Sequence, residues 1–155
     1  MIPFSSATED RSLTLAIRRM RSGLDKPSEN PGINQMITGV HHVQITVPKG
    51  AEQTAREFYC GLLGLSELEK PHALKPRGGF WLEVGDRQIH VGVEDGFDRN
   101  STKGHVAYAV SDLEIWRNRL ASAGIQVEDG IQIPGIRRFE FRDPFGNRIE
   151  MVEPV

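Results

Sequence analysis

From Thr38 onward the spacing of apolar and polar positions changes in a regular way, and each change of period predicts an element. Val40 to Val47 alternates with period two. Val43, Ile45 and Val47 fall on one face, and His42, Gln44 and Thr46 on the other. Ala51 to Leu63 then shifts to a helical period, with Ala55, Phe58, Tyr59 and Leu62 in one stripe and Gly64 as its stop. Three short strands are predicted next, over Leu65 to Glu69, Gly79 to Val84 and Arg87 to Val93, the last two joined by a turn at Gly85-Asp86.

A polar stretch from Glu94 to Lys103 separates this βαβββ unit from a second with the same order. The second unit has a strand over His105 to Val110 and a helix over Asp112 to Ala123 closed by Gly124. Strands over Ile125 to Glu128, Arg137 to Arg142 and Asn147 to Glu153 complete it. The expected fold class is therefore α+β, with two tandem modules (38–93 and 104–153) forming a cup-shaped mixed sheet and helices on its outer face. Residues 1–35 read differently. Ser12 to Met20 fits a short helix, and the breaker-rich run from Ser22 to Gly32 fits a linker, so 1–35 is expected to be an N-terminal extension or leader and 36–155 the folded domain.

Composition narrows the partners. Nineteen basic residues against 21 acidic ones leave a formal charge of −2, which provides no basic footprint for nucleic acid or an anionic membrane. No apolar run is long enough to span a bilayer, and no secretory signal opens the sequence. With one cysteine, Cys60, the chain can build neither an internal disulfide nor a cysteine-rich zinc site, and a reducing, cytoplasmic setting is expected. Sequence patterns for a P-loop, a nucleophile elbow, a His-Glu-x-x-His helix and a dinucleotide fold are lacking, and Cys60 has no evident base beside it.

The repeat concentrates metal-capable side chains at equivalent positions. His42 heads the first strand of module one, and His105 that of module two. In the last strand of each module, His90 occupies the place of Glu150. Strand parity puts all four on the face opposite the main apolar stripe, beside the small residues Thr46, Gly92, Ala107 and Ala109. His41 and His72 fall outside this pattern and read as structural or solvent-facing.

Three imidazoles and one carboxylate suit Zn²⁺, Ni²⁺, Co²⁺, Fe²⁺ or Mn²⁺ better than Mg²⁺ or Ca²⁺. A divalent ion held by His42, His90, His105 and Glu150 would act as a Lewis acid, stabilising an enediolate or oxyanion, while the Glu150 carboxylate carries a proton.

The same residues carry a family resemblance. His42-Val-Gln-Ile-Thr-Val47, Phe58-Tyr59 followed by Leu63-Gly64-Leu65, Gly104-His105-Val-Ala-Tyr-Ala-Val110, and Asp143-Pro-Phe-Gly-Asn147 leading into Ile149-Glu150 resemble the vicinal oxygen chelate superfamily. That superfamily includes glyoxalase I, epimerases, fosfomycin-resistance thiol transferases, extradiol dioxygenases and bleomycin-binding proteins. The resemblance spans roughly Met36 to Glu153. It implies a metal-dependent enzyme on a small-molecule substrate, commonly a homodimer whose site draws on both subunits, with His42, His105 and Glu150 matching the recurrent ligand set. Two positions depart: His90 stands where bacterial glyoxalase I has a glutamate, and Thr46 where similar glyoxalases have an arginine for glutathione.

The reading expected from this is a lyase or isomerase of the glyoxalase and epimerase type. Iron-dependent ring cleavage by His42, His105 and Glu150, thiol transfer to an epoxide, and non-catalytic sequestration of a drug or metabolite are its alternatives.

Overall fold

The computed structural model describes residues 37–155. The helix expected over Ser12 to Met20 and the linker after it lie outside the described residues. Gly39 to Val155 forms one compact unit.

Module one comprises β1 (His42–Val47), α1 (Glu52–Arg56), β2 (Ser66–Leu68), β3 (Phe80–Val84) and β4 (Arg87–Val93). Module two comprises β5 (His105–Ala109), α2 (Leu113–Ser122), β6 (Glu128–Asp129), β7 (Ile136–Arg142) and β8 (Arg148–Pro154). Each module builds an open four-stranded mixed sheet. The orders are β1-β4-β3-β2 and β5-β8-β7-β6, with β1 parallel to β4 and β5 parallel to β8. The α+β architecture of paired βαβββ modules expected above is the one observed.

The apolar stripes do the packing. Val47, Leu82, Ile89 and Val91 of the first sheet, and Tyr108, Phe139, Phe141, Ile149 and Met151 of the second, join Ala55, Phe58, Tyr59, Leu113 and Leu120 in one buried cluster. The duplication extends to surface pairs. Arg56 of α1 lies 4.5 Å over the Phe80 ring and ion-pairs with Glu67 of β2, while Arg117 of α2 lies 4.9 Å over Phe139 and ion-pairs with Asp129 of β6. Each arginine covers the ring with its stem and keeps its charge matched at the sheet edge.

Three local differences from the periodicity have physical causes. The first helix runs as α-helix only to Arg56 and continues as a π-helical turn over Glu57–Leu62, where Leu63 N–H reaches back five residues to Phe58 O at 2.9 Å. The wider turn makes Leu63 rather than Leu62 the fully buried member of the stripe. The strand expected over Ile125 to Glu128 pairs only at Glu128–Asp129. Between β2 and β3, a 3₁₀ turn over His72–Arg77 replaces a plain loop, and Gly79 then enters β3 at φ +72°, where a Cβ would come within 2.0 Å of Val91 O.

A buried polar joint links the modules. Tyr59 OH donates to Asp143 Oδ2 at 2.7 Å, and Asn147 Nδ2 donates both to Asp143 Oδ2 at 2.7 Å and to Thr46 O at 2.9 Å. Asp143 also accepts from the Phe145 and Asn147 amides, so both of its carboxylate oxygens are served by the Asp143-to-Asn147 turn together with Tyr59. Arg99, buried in the linker between modules, donates from Nε to Thr46 O at 2.7 Å and from Nη2 to Thr46 Oγ1 at 3.2 Å. Thr46, one of the two positions that depart from the resemblance, is thus committed to the joint.

Candidate metal centre

The strands place the four metal-capable residues as two repeat-related pairs. In register, His42 faces Gln88 across β1 and β4, and His105 faces Arg148 across β5 and β8. His90 and Glu150 each lie two residues further along, on the same diagonal and the same face. Each pair is therefore brought together by the same parallel strand pairing, once per module. The two pairs do not merge within one chain: among the described residues no group of three or more His, Cys, Asp or Glu side chains lies close enough to share a metal ion.

The module-two pair has the geometry of a ligand pair. His105 Nδ1 lies 2.9 Å from Lys103 O, so the Nδ1 proton is donated to that carbonyl and Nε2 is the ring atom left to face the open side of the sheet. Nε2 is 3.0 Å from Glu150 Oε2. An imidazole nitrogen and a carboxylate oxygen this close have a proton or a cation between them. The 3.0 Å separation is that of a hydrogen bond, and it also leaves both atoms within reach of one divalent ion, which His105 and Glu150 would hold together. A ligating histidine that donates its other N–H to a backbone carbonyl is also the usual way such a ring is oriented.

Sequence reasoning missed the setting of this pair. Arg138 Nη1 donates to Glu150 Oε1 at 2.5 Å, Arg138 also approaches Glu140 at 3.7 Å, and Arg148 pairs with Glu140. The Glu150 side chain is only 7% exposed, so Arg138 supplies the countercharge that lets it stay in place without a metal. Parity held the signal: residues 138, 140 and 142 share the open face of β7, and Glu140 faces Glu150 directly.

The module-one pair is arranged differently. The His42 and His90 rings stack at 4.0 Å with planes 15° apart, and Trp81, which faces His90 across β3 and β4, stacks on its other side at 4.2 Å and 4°. His90 Nε2 meets Gln88 Oε1 at 3.0 Å, and His42 Nδ1 meets His41 Nδ1 at 3.0 Å. Imidazole lone pairs lie in the ring plane, and nearly parallel planes do not converge. As placed, the two rings cannot address one ion together; one must turn. Partial burial, the neighbouring His42 and His41 rings and Lys70 hold the His90 pKa below its ordinary value, favouring the neutral ring that stacks.

The residues set aside from the sequence keep modest settings. His41 and His72 are exposed. Burial and the Glu67 carboxylate raise the Cys60 thiol, which works against a thiolate nucleophile. No helix among the described residues is long and apolar enough to cross a membrane.

Comparison with known proteins gives a family and a fold. The model of the Glyoxalase/Bleomycin resistance protein/Dioxygenase superfamily matches residues 39–151. A crystal structure of a Bacillus anthracis protein described as a glyoxalase family member is 40% identical; the match covers 79% of this chain and all of that one, with a TM-score of 0.74. The fosfomycin resistance protein FosX of Listeria monocytogenes, solved with Mn(II) and sulfate, is 17% identical, covers 77% and 93% of the two chains and has a TM-score of 0.62. Lactoylglutathione lyase of Agrobacterium tumefaciens, 19% identical over 77% and 96%, has a TM-score of 0.60. These last two share the fold. A search of curated proteins found no match.

Proposed function

Since the chain belongs to the glyoxalase/bleomycin resistance protein/dioxygenase superfamily, we propose that it is a metal-dependent enzyme of the glyoxalase and epimerase type, acting on a small molecule at a centre shared by two copies. His105 and Glu150 of one copy are the anchor. His42 of the other completes the set, and His90 is a conditional fourth donor that must first leave its stack with Trp81. The observation that carries this reading is the 3.0 Å approach of His105 Nε2 to Glu150 Oε2, with the opposite ring nitrogen tied to Lys103 O.

A divalent ion there would supply Lewis acidity, stabilising negative charge as it develops on substrate oxygens. The residues of the chain do the rest. The Glu150 carboxylate takes the substrate proton, while Arg138 donates to its Oε1 and orients it. The stacked rings of Trp81 and His90 form an apolar wall, and Ala107 and Ala109 leave space above β5. Proton abstraction beside a carbonyl is the reaction class these groups suit, ahead of ring cleavage or thiol transfer.

Mixed dimers test the sharing. A dimer of one His42→Ala chain and one His105→Ala chain has one centre with both lesions and one with neither. It is expected to retain about half the wild-type metal and to exchange a substrate C–H with solvent deuterium, while each homodimer does neither. Mixed dimers as empty as the parents, or a monomer that keeps its full metal, would overturn the shared centre.

A further inference from the structure

A cavity on module two opens at the end of its sheet where β5 and β8 begin, and has a volume of about 660 Å³. This is within the usual range for small-molecule sites. Its wall includes Asn100, Thr102 and Lys103 from the linker, Glu128 from β6, Arg142 from β7 and Arg148 from β8, with Glu140 beneath. Three cations against two carboxylates leave a surplus of one positive charge. Pairing matches Arg148 to Glu140, and Arg138 beyond it to Glu150, which leaves Arg142 and Lys103 against the one remaining carboxylate of the wall, Glu128.

Among the described residues Arg142 and Lys103 make no ion pair. Arg142 is nevertheless fixed, because its Nη1 donates to Gly146 O at 2.6 Å and Arg99 O at 3.3 Å. Both anchors are neutral carbonyls, so the guanidinium charge is left unspent while its remaining N–H groups are oriented. A fixed arginine fork and an exposed lysine lining one cavity are the chemistry that recognises an oxyanion.

Position specifies the ligand further. Arg142 faces Arg148, and Arg148 faces His105, so the three occupy one row across β7, β8 and β5. Two strand spacings, about 10 Å, separate the Arg142 and His105 backbones. Lys103 also supplies the carbonyl that orients His105.

We propose that this cavity is an oxyanion-binding subsite, built by Arg142 and Lys103, for a carboxylate or phosphate-type group at the far end of an elongated substrate. Its place as part of a substrate site rests on the metal-centre reading; its affinity for an oxyanion does not.

The test uses the full chain stripped with chelator and titrated at fixed ionic strength with glutarate and, separately, inorganic phosphate, followed by amide NMR shifts. Saturable shifts confined to the linker and the β7–β8 turn are expected, with binding weakened about tenfold by Lys103→Ala, the loss expected for one charge-assisted contact. Lys103 is exposed and its side chain makes no hydrogen bond or ion pair among the described residues, so this variant is expected to fold. Arg142→Gln should weaken binding comparably, and Arg142→Lys should fold and bind weakly. His105→Ala should bind as wild type.

Preference for glutarate identifies a carboxylate, and preference for phosphate a tetrahedral oxyanion; either supports the subsite. Shifts that never saturate, or that survive both Lys103→Ala and Arg142→Gln, overturn it. Metal plays no part in the titration. Anion binding by a chain that takes up no divalent metal when metal is offered would therefore overturn the centre alone, and metal uptake without anion binding the subsite alone.

Discussion

The two modules repeat one strand pairing and fill it with opposite chemistry. On the open face of module one, Trp81, His90 and His42 form an aromatic stack. On that of module two, His105, Glu150, Arg138, Glu140 and Arg148 form a charged chain. Equal backbone offsets thus produce unequal ligand pairs. A ring beside a ring gains by lying flat on it, which points its lone pairs away from a common centre; a ring beside a carboxylate gains by pointing an in-plane nitrogen at it. The difference assigns the anchor of the proposed centre to module two and makes module one the part that must adjust.

The sharpest contrast is between His105 and His90. His105→Ala is expected to lower metal affinity by more than about 100-fold, beyond the 10–100-fold typical of losing a supporting contact, while His90→Ala changes it by less than about threefold. Competition against a chromophoric chelator reads both; equal losses would erase the distinction between modules.

Next in size is Arg138→Met, which strands the Glu150 carboxylate and should cost about 2–3 kcal/mol in urea unfolding of the metal-free chain. A smaller loss, about 1–2 kcal/mol, is expected for Tyr59→Phe at the joint between modules. Burial first, then the Asp143 carboxylate, push the Tyr59 hydroxyl well above its usual pKa, so it stays protonated in the fold while the unfolded chain ionises near pH 10. Its contribution is therefore complete below that pH and falls as pH rises above it, and Tyr59→Phe should flatten the alkaline decline in stability without abolishing it, because buried Tyr108 is raised as well. The smallest effect is that of Trp81→Leu, about 0.5–1 kcal/mol for the lost ring contact, with metal affinity unchanged or slightly higher as His90 is released.

Much of this was legible in the chain. Period-two alternation located the long strands, and duplication with parity placed His42 with His90 and His105 with Glu150. Residues whose roles depend on cross-strand register were harder to see. Arg138 matters because antiparallel pairing brings it diagonal to Glu150, and Trp81 because it faces His90; neither neighbour is close in sequence. The stacking of His42 on His90 was not legible at all, since parity fixes the face of a sheet but not the rotation of a ring. Nor does pattern within one chain join the two pairs: periodicity describes one copy, and the proposed centre takes two.

The most direct measurement is the metal content of untagged dimer prepared without chelator, set beside Glu150→Gln prepared in the same way. Two divalent ions per wild-type dimer and essentially none in the variant are expected. Wild-type protein free of bound metal, or a Glu150→Gln dimer as fully loaded as wild type, would contradict the claim that His105 and Glu150 anchor a metal centre.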